Sequence, residues 1–181
     1  MQAFADIKPS VIIAVPLIIE KVYKSKLKPI LDRNKMIMNL PIIDKVIQKK
    51  ILNELVNAFG GRFYEVIIGG AAFNPEVERF FHKIGFPLTV GYGMTECAPI
   101  IGYADWKDAK LYSCGRSVMN MEIKIDSPDP ENIPGEVLVK GANVFLGYYK
   151  NEAATASVFD KDEWLHTGEM EVMDKDGFLF L

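Results

Sequence analysis

The sequence predicts an α/β protein: part of a mostly parallel sheet with flanking helices, followed by a small β-rich lobe of distorted, barrel-like form. Three observations predict it. An apolar run, Ser10–Val15, leads directly into a helical pattern that Pro16 can open. A second apolar run, Tyr64–Ile68, is followed by the loop Gly69-Gly70-Ala71-Ala72, a helix from Pro75 to Ile84 and a strand Pro87–Val90, which is a βαβ crossover. Beyond about Gly115 the pattern changes to short alternating segments separated by Pro, Gly and Asp turns.

Each element has a local cause. The first strand is expected to be buried, and its helix to run from Pro16 to about Lys28 and stop at Pro29, because proline suits a first helical turn but not an interior. Residues Ile30–Pro41 read as a connector. Ile43, Ile47, Ile51 and Leu55 recur four apart with Val46 beside them, and Gly60-Gly61 supplies a stop, so a second amphipathic helix is expected. In the crossover Asn74 is an N-cap, Glu76 and Glu78 suit the positive end of the helix dipole, and Gly85 can end the helix. The later strands are predicted at Met121–Ile125, Glu136–Lys140, Val144–Tyr149, Glu171–Met173 and Phe178–Leu181, with a short helix over Asn151–Phe159 capped by Asn151. The lobe boundary is placed at 112/113, giving an α/β lobe 1–112 and a β-rich lobe 113–181.

Composition narrows the class. The chain has 181 residues, 49% hydrophobic and 25% charged, which is ordinary globular usage and excludes disordered or fibrous types. Residues 1–60 carry ten Lys/Arg against five Asp/Glu and the rest eleven against nineteen, so the net −3 divides into +5 and −8. The N-terminal lysines recur at helical spacing, so a solvated helix face is favoured over nucleic acid; peripheral membrane contact is left open. The longest apolar run, Val11–Ile19, holds nine residues against the roughly 20 a membrane span needs, and no secretory signal is visible, so the cytoplasm is the default compartment. Cys97 and Cys114 read as free buried thiols, and His82 and His166 form no metal motif. Asp174-Lys175-Asp176-Gly177 lacks the ligand spacing of a calcium loop and reads as a hairpin turn.

Two loops carry the candidate chemistry. Gly70, Ala71 and Ala72 offer backbone without side-chain bulk, where a flat ligand can approach, although taken alone a tight strand-to-helix turn is the favoured reading. Gly91-Tyr92-Gly93-Met94-Thr95-Glu96-Cys97 is richer. It joins two glycines for close approach, an aromatic face for a base, a hydroxyl for a phosphate oxygen and a hard carboxylate for Mg²⁺.

The ordered set GGAAFNPE, VGYGMTECAP, GEVLVKGANVFLGYYKNEAAT and EWLHTGE resembles the adenylate-forming (AMP-binding) enzymes, and among them the long-chain fatty acyl-CoA ligases, over most of the chain. The resemblance implies an ATP-, Mg²⁺- and coenzyme A-dependent ligase that activates a fatty acid as acyl-AMP and passes it to the thiol. It implies that Gly70, Ala71 and Ala72 border the adenine, that Tyr92 packs on it, and that Thr95 faces the α-phosphate and acyl carboxylate. It further implies that Glu96 holds Mg²⁺ and that Gly93, Met94 and Ala98 lie near the acyl group, with Gly91 part of the same binding loop. Trp164-Leu165-His166-Thr167-Gly168 matches a segment that in the family ends in a ribose-binding Asp, whereas position 169 here is Glu, one methylene longer. Gly135-Glu136 and Gly147-Tyr148-Tyr149 are read as structural. The family's phosphate loop is expected upstream of Met1 and its hinge and lysine-bearing lobe downstream of Leu181, so the chain is expected to be an internal fragment, inactive alone. A non-catalytic nucleotide- or acyl-binding module, and a superfamily member joining aryl or amino acids, are the alternatives.

Overall fold

A computed structural model describes residues 2–34 and 41–180. The chain forms two compact units, Met1–Thr89 and Val90–Leu181.

In the first unit, α1 (Gln2–Ile7) precedes β1 (Val11–Ala14), α2 (Pro16–Val22), a π-helical turn (Tyr23–Leu27), α3 (Lys28–Asn34), α4 (Pro41–Ala58), β2 (Glu65–Ile68), α5 (Pro75–Lys83) and β3 (Leu88–Val90). β2 is the central strand. It pairs in parallel with β1, in the register Val11↔Glu65 to Ala14↔Ile68, and has β3 on its other side. The βαβ crossover read from the sequence is therefore present, and its cap forms as expected: Asn74 Oδ1 accepts from the N–H of Glu76 and Val77 at 3.0 and 3.2 Å. Glu20 of α2 accepts the Asn74 N–H at 3.2 Å, so one helix fixes the entry to the other. Phe59, Phe63, Phe81 and Phe86 form an aromatic core with centroid separations of 5.1–6.0 Å. Such pairing adds to the area they bury.

Three expectations for this unit are corrected. The helix does not stop at Pro29, because the π turn shifts the hydrogen-bond ladder: the Lys28 N–H bonds to Tyr23 O, and Pro29 becomes the second residue of α3. An absent N–H is tolerated there. The connector read at Ile30–Pro41 is thus helical to Asn34, and its residues 35–40 lie outside the described residues. β1 is not a buried strand either. Ile12 is buried while Ile13, pointing to the opposite face, is 80% exposed. On α4, Ile51 and Leu55 are buried as expected but Val46 is exposed. Lys21, Lys24, Lys26, Lys28, Lys45, Lys49 and Lys50, the N-terminal lysines at helical spacing, are exposed, as a solvated face requires. Among the described residues no helix is long and apolar enough to cross a membrane.

The second unit holds two antiparallel sheets. One orders β4 (Tyr92–Gly93), β5 (Ile100–Tyr103) and β6 (Arg116–Ser117). The other, ordered β10-β9-β8-β7, comprises β7 (Met121–Asp126), β8 (Gly135–Gly141), β9 (Leu165–Met173) and β10 (Leu179–Phe180), with α6 (Glu152–Val158) between β8 and β9. Two backbone bonds tie the sheets together: Cys114 N–H to Leu179 O at 3.0 Å and Leu179 N–H to Gly115 O at 2.9 Å. The compact division at Thr89/Val90 and the change of sequence pattern near Gly115 do not coincide, because β5 takes its partner β6 from beyond residue 112. Asp174–Phe178 is a hairpin turn in which Asp174 Oδ1 accepts two N–H groups.

The strand expected at Val144–Tyr149 does not form. Its backbone donors are spent elsewhere: Phe145 N–H on Glu96 O at 2.7 Å, and Tyr148 N–H on Thr155 Oγ1 at 2.9 Å. The segment is a loop.

Replacing Asn74 by Ala removes the acceptor of two α5 N–H groups and is expected to cost about 1 kcal/mol in urea unfolding. Asn74→Asp should retain most of that stability.

Candidate functional site

In the first unit, Gly70, Ala71 and Ala72 lie exposed after β2, and the Gly69 N–H reaches Ala14 O at 3.2 Å. Gly70 has φ +84°, and a Cβ there would meet nothing within 4 Å. This loop presents open backbone.

The second candidate loop is built differently. Gly91 and Met94 are half-buried, Gly93 and Thr95 are exposed, and a single 3₁₀ turn spans Thr95–Cys97. Ala98 is left-handed at φ +55°. The glycine at 93 serves the fold as well as access, since a Cβ there would lie 2.0 Å from Pro99 O. Met94 N–H donates to that same carbonyl at 2.8 Å. The amide of Asn143, two residues past the end of β8 (Gly135–Gly141), donates to Cys97 O and Ile100 O at 2.7 and 2.8 Å and so holds the turn.

Glu96 is gripped twice. Its backbone carbonyl accepts the Phe145 N–H, and its Oε1 accepts the Tyr148 hydroxyl at 2.9 Å. That bond also holds the Tyr148 phenol above its ordinary range. Among the described residues Oε2 takes no hydrogen bond, and no cluster of three His, Cys, Asp or Glu that could hold a metal occurs. One carboxylate beside a hydroxyl fits Mg²⁺, which keeps most of its waters or takes its other ligands from phosphates.

Tyr92 is 6% exposed. Its hydroxyl makes no hydrogen bond of standard geometry, yet it faces Glu169 and Thr167 of β9. Burial, and next the Glu169 side chain, push the phenol far above its ordinary range, with Thr167 acting in the opposite sense. The structure thus brings together Tyr92 and Glu169, one from each of two separate sequence motifs. A ring this enclosed offers a bound ligand only a small part of its face. Glu169 itself is exposed, with its N–H on Thr167 Oγ1 at 3.2 Å.

The turn that carries Glu169 is anchored by Glu136. One carboxylate oxygen meets His166 Nδ1 at 2.8 Å and the other accepts the Gly168 N–H at 3.0 Å. Thr167 Oγ1 donates to Val137 O at 2.8 Å. The sequence contains no local sign of these contacts or of Tyr148 meeting Glu96, because the partners come from distant strands and loops.

Two residues further along β9, past its register shift, Glu171 is 1% exposed. Cys114 Sγ donates to its Oε2 at 3.7 Å and shares that proton with Leu179 O at 3.6 Å, while Oε1 has no hydrogen-bond partner among the described residues. Burial, then the Glu169 charge, push Glu171 up to about 7. Both cysteines are free and buried, as expected. Burial raises Cys97 to about 11 and raises Cys114 as well, so neither is a thiolate at neutral pH.

A family model described as "AMP-binding enzyme" matches residues 1–149. The chain belongs to the AMP-binding enzyme family. Among curated relatives it is 29% identical over 99% of its length to long-chain-fatty-acid–CoA ligase FadD15 of Mycobacterium bovis, covering 32% of that protein. It is 43% identical over 62% of its length to 4-coumarate–CoA ligase 1 of Arabidopsis thaliana, covering 22% of that protein. The chain therefore spans a third or less of these AMP-binding relatives. Among solved structures, the O-succinylbenzoate coenzyme A synthetase MenE of Bacillus subtilis in complex with ATP and magnesium ion matches with a TM-score of 0.72. That match has 23% identity and covers 99% of this chain and 32% of that one, a likeness of fold.

Glu171 makes stability pH-dependent with a defined sign. Its folded pKa is raised from 4.5 to about 7, so the folded state binds the proton more tightly than the unfolded state. The resulting stability is fully present below 4.5 and is lost as pH rises through about 7. Urea unfolding across this window should show Glu171→Gln losing a slope that the parent chain has, worth up to about 3 kcal/mol. Parallel pH profiles for the two proteins would show that Glu171 does not titrate there.

Proposed function

We propose that this chain carries the nucleotide-facing part of an acid–thiol ligase that joins a carboxylate to coenzyme A through an acyl-adenylate, with a long-chain fatty acid as substrate. The observation that supports it most is the meeting of Tyr92 and Glu169 in one unit of an AMP-binding enzyme. In this reading the acyl carboxylate attacks the α-phosphorus of ATP, pyrophosphate leaves, and the thiol of coenzyme A then displaces AMP.

The residues divide the work by position and charge, with no protein nucleophile. Gly70, Ala71 and Ala72 present open backbone that a flat purine can approach. Glu169 accepts the ribose hydroxyls. Thr95, exposed at the start of the 3₁₀ turn, donates to the α-phosphate oxygen. Gly93, Met94 and Ala98 lie near the acyl group, with Gly91 part of the same loop. Glu96 holds the cation, which when bound neutralises phosphate charge.

A second reading, an aryl-acid substrate, is favoured by the higher identity to the Arabidopsis thaliana 4-coumarate–CoA ligase over a shorter stretch. Assays of CoA-dependent AMP release with palmitate and with 4-coumarate separate the two.

Isothermal titration of ATP into the 181-residue chain tests the nucleotide reading. Glu169→Asp should tighten binding about tenfold, because it returns the carboxylate by one methylene, and Glu169→Ala should weaken it by at least about as much. If both variants bind ATP as the parent does, Glu169 does not touch the ribose.

A further inference from the structure

The loop between β8 and α6 carries more order than a connector needs. Tyr148 is fixed at three points: its N–H on Thr155 Oγ1 at 2.9 Å, its ring edge-on to Phe145 at 4.9 Å, and its hydroxyl on Glu96 Oε1 at 2.9 Å. Phe145 is itself placed by its N–H on Glu96 O at 2.7 Å and by stacking on Phe159 at 5.7 Å. Thr155 is in turn held through its own hydroxyl, which donates to Asn151 O at 2.9 Å. At Gly147, φ is +142° and a Cβ would lie 2.6 Å from Thr155, so a side chain there would push α6 away from the Tyr148 N–H.

A long acidic side chain at a half-exposed turn ordinarily samples several rotamers, and fixing it costs entropy. Here one oxygen of Glu96 is held by the phenol and the other is left without a hydrogen bond among the described residues. A carboxylate arranged this way offers a cation one oxygen already in place.

We propose that Tyr148 is a positioning residue for Glu96: its hydroxyl fixes Oε1 so that Oε2 is presented to the divalent cation of a bound nucleotide. The proposal rests on the reading of Glu96 as the cation's ligand. Tyr148 does not contact the cation. It acts by removing the rotamer search that Glu96 would otherwise complete on binding.

The test measures ATP affinity of the chain with and without Mg²⁺ by titration calorimetry, so that no turnover is needed. Tyr148→Phe deletes one oxygen and keeps the ring against Phe145. It should leave metal-free ATP binding unchanged and weaken Mg²⁺-ATP binding about fivefold. Thr155→Val frees the Tyr148 N–H and should produce a smaller loss of the same kind, so the conclusion does not hang on one variant's folding. Glu96→Gln should abolish the Mg²⁺ dependence, and Tyr148→Phe added to it should change nothing more. If Glu96→Gln loses the dependence while Tyr148→Phe and Thr155→Val keep it, Tyr148 is not a positioning residue. If Glu96→Gln retains the dependence, or the parent chain binds no ATP, the reading of Glu96 itself falls and the proposal with it. Equal weakening of ATP binding with and without metal by Tyr148→Phe would overturn the proposal too, since a general loosening of the turn acts on both.

Discussion

The arrangement of the second unit depends on how the turn from Met94 to Ile100 satisfies its carbonyls. A left-handed residue and a single 3₁₀ turn leave the part-buried Cys97 carbonyl outside any strand, and a fully buried carbonyl without a donor costs about 1–3 kcal/mol. Asn143 resolves this with one side-chain amide given to both Cys97 O and Ile100 O. Its neighbours follow: the Phe145 N–H closes on Glu96 O, and Tyr148 then reaches the Glu96 carboxylate. The strand pattern of Val144–Tyr149 is given up to make these contacts. Local β propensity is worth fractions of a kcal/mol per residue and loses to a set of satisfied acceptors.

The two carboxylates of β9 show how environment separates like groups. Glu169 and Glu171 are two residues apart in β9, next to its register shift, and one is exposed while the other is sealed beneath Cys114 and β10. Burial lets Glu171 keep its proton near neutrality, which spares Glu169 a charged neighbour. Burial of Tyr92, and next the Glu169 side chain, raise its phenol far above the ordinary range. Glu136 acts from the other side as a bidentate acceptor for His166 and the Gly168 N–H. Glu169 therefore stands on a turn whose position is set by groups other than itself.

What the sequence makes legible is local. Asn74 and Asn151 cap the helices they precede, with side-chain oxygens on the N–H groups that their spacing implies. Gly60, Gly61 and Gly85 adopt positive φ just past α4 and α5. The family motifs single out Tyr92, Glu96 and Glu169 because each motif is contiguous. What is not legible needs a partner from elsewhere in the chain. The continuation through Pro29 depends on a π turn that no single residue announces, and the exposure of Ile13 depends on which face of the sheet is covered. The Tyr148 contact with Glu96 spans 52 residues, and a glycine-aromatic-aromatic run has no feature that points across such a distance.

Gly70 and Gly93 show why a glycine-rich motif alone underdetermines chemistry. Both read in sequence as positions where a ligand could approach the backbone. At Gly70 the space a side chain would take is empty and the backbone is left-handed, so the residue is chosen for conformation and leaves a surface open. At Gly93 the space is filled by the carbonyl of Pro99, which also accepts the Met94 N–H. A side chain there meets backbone that cannot move without opening the β4–β5 pairing and its bulge. The first glycine can therefore be argued from the ligand inward, whereas the second must be argued from the fold outward. Glu96 stands on the second kind of support: the turn is shaped by its own backbone contacts first, and the carboxylate inherits its position from them.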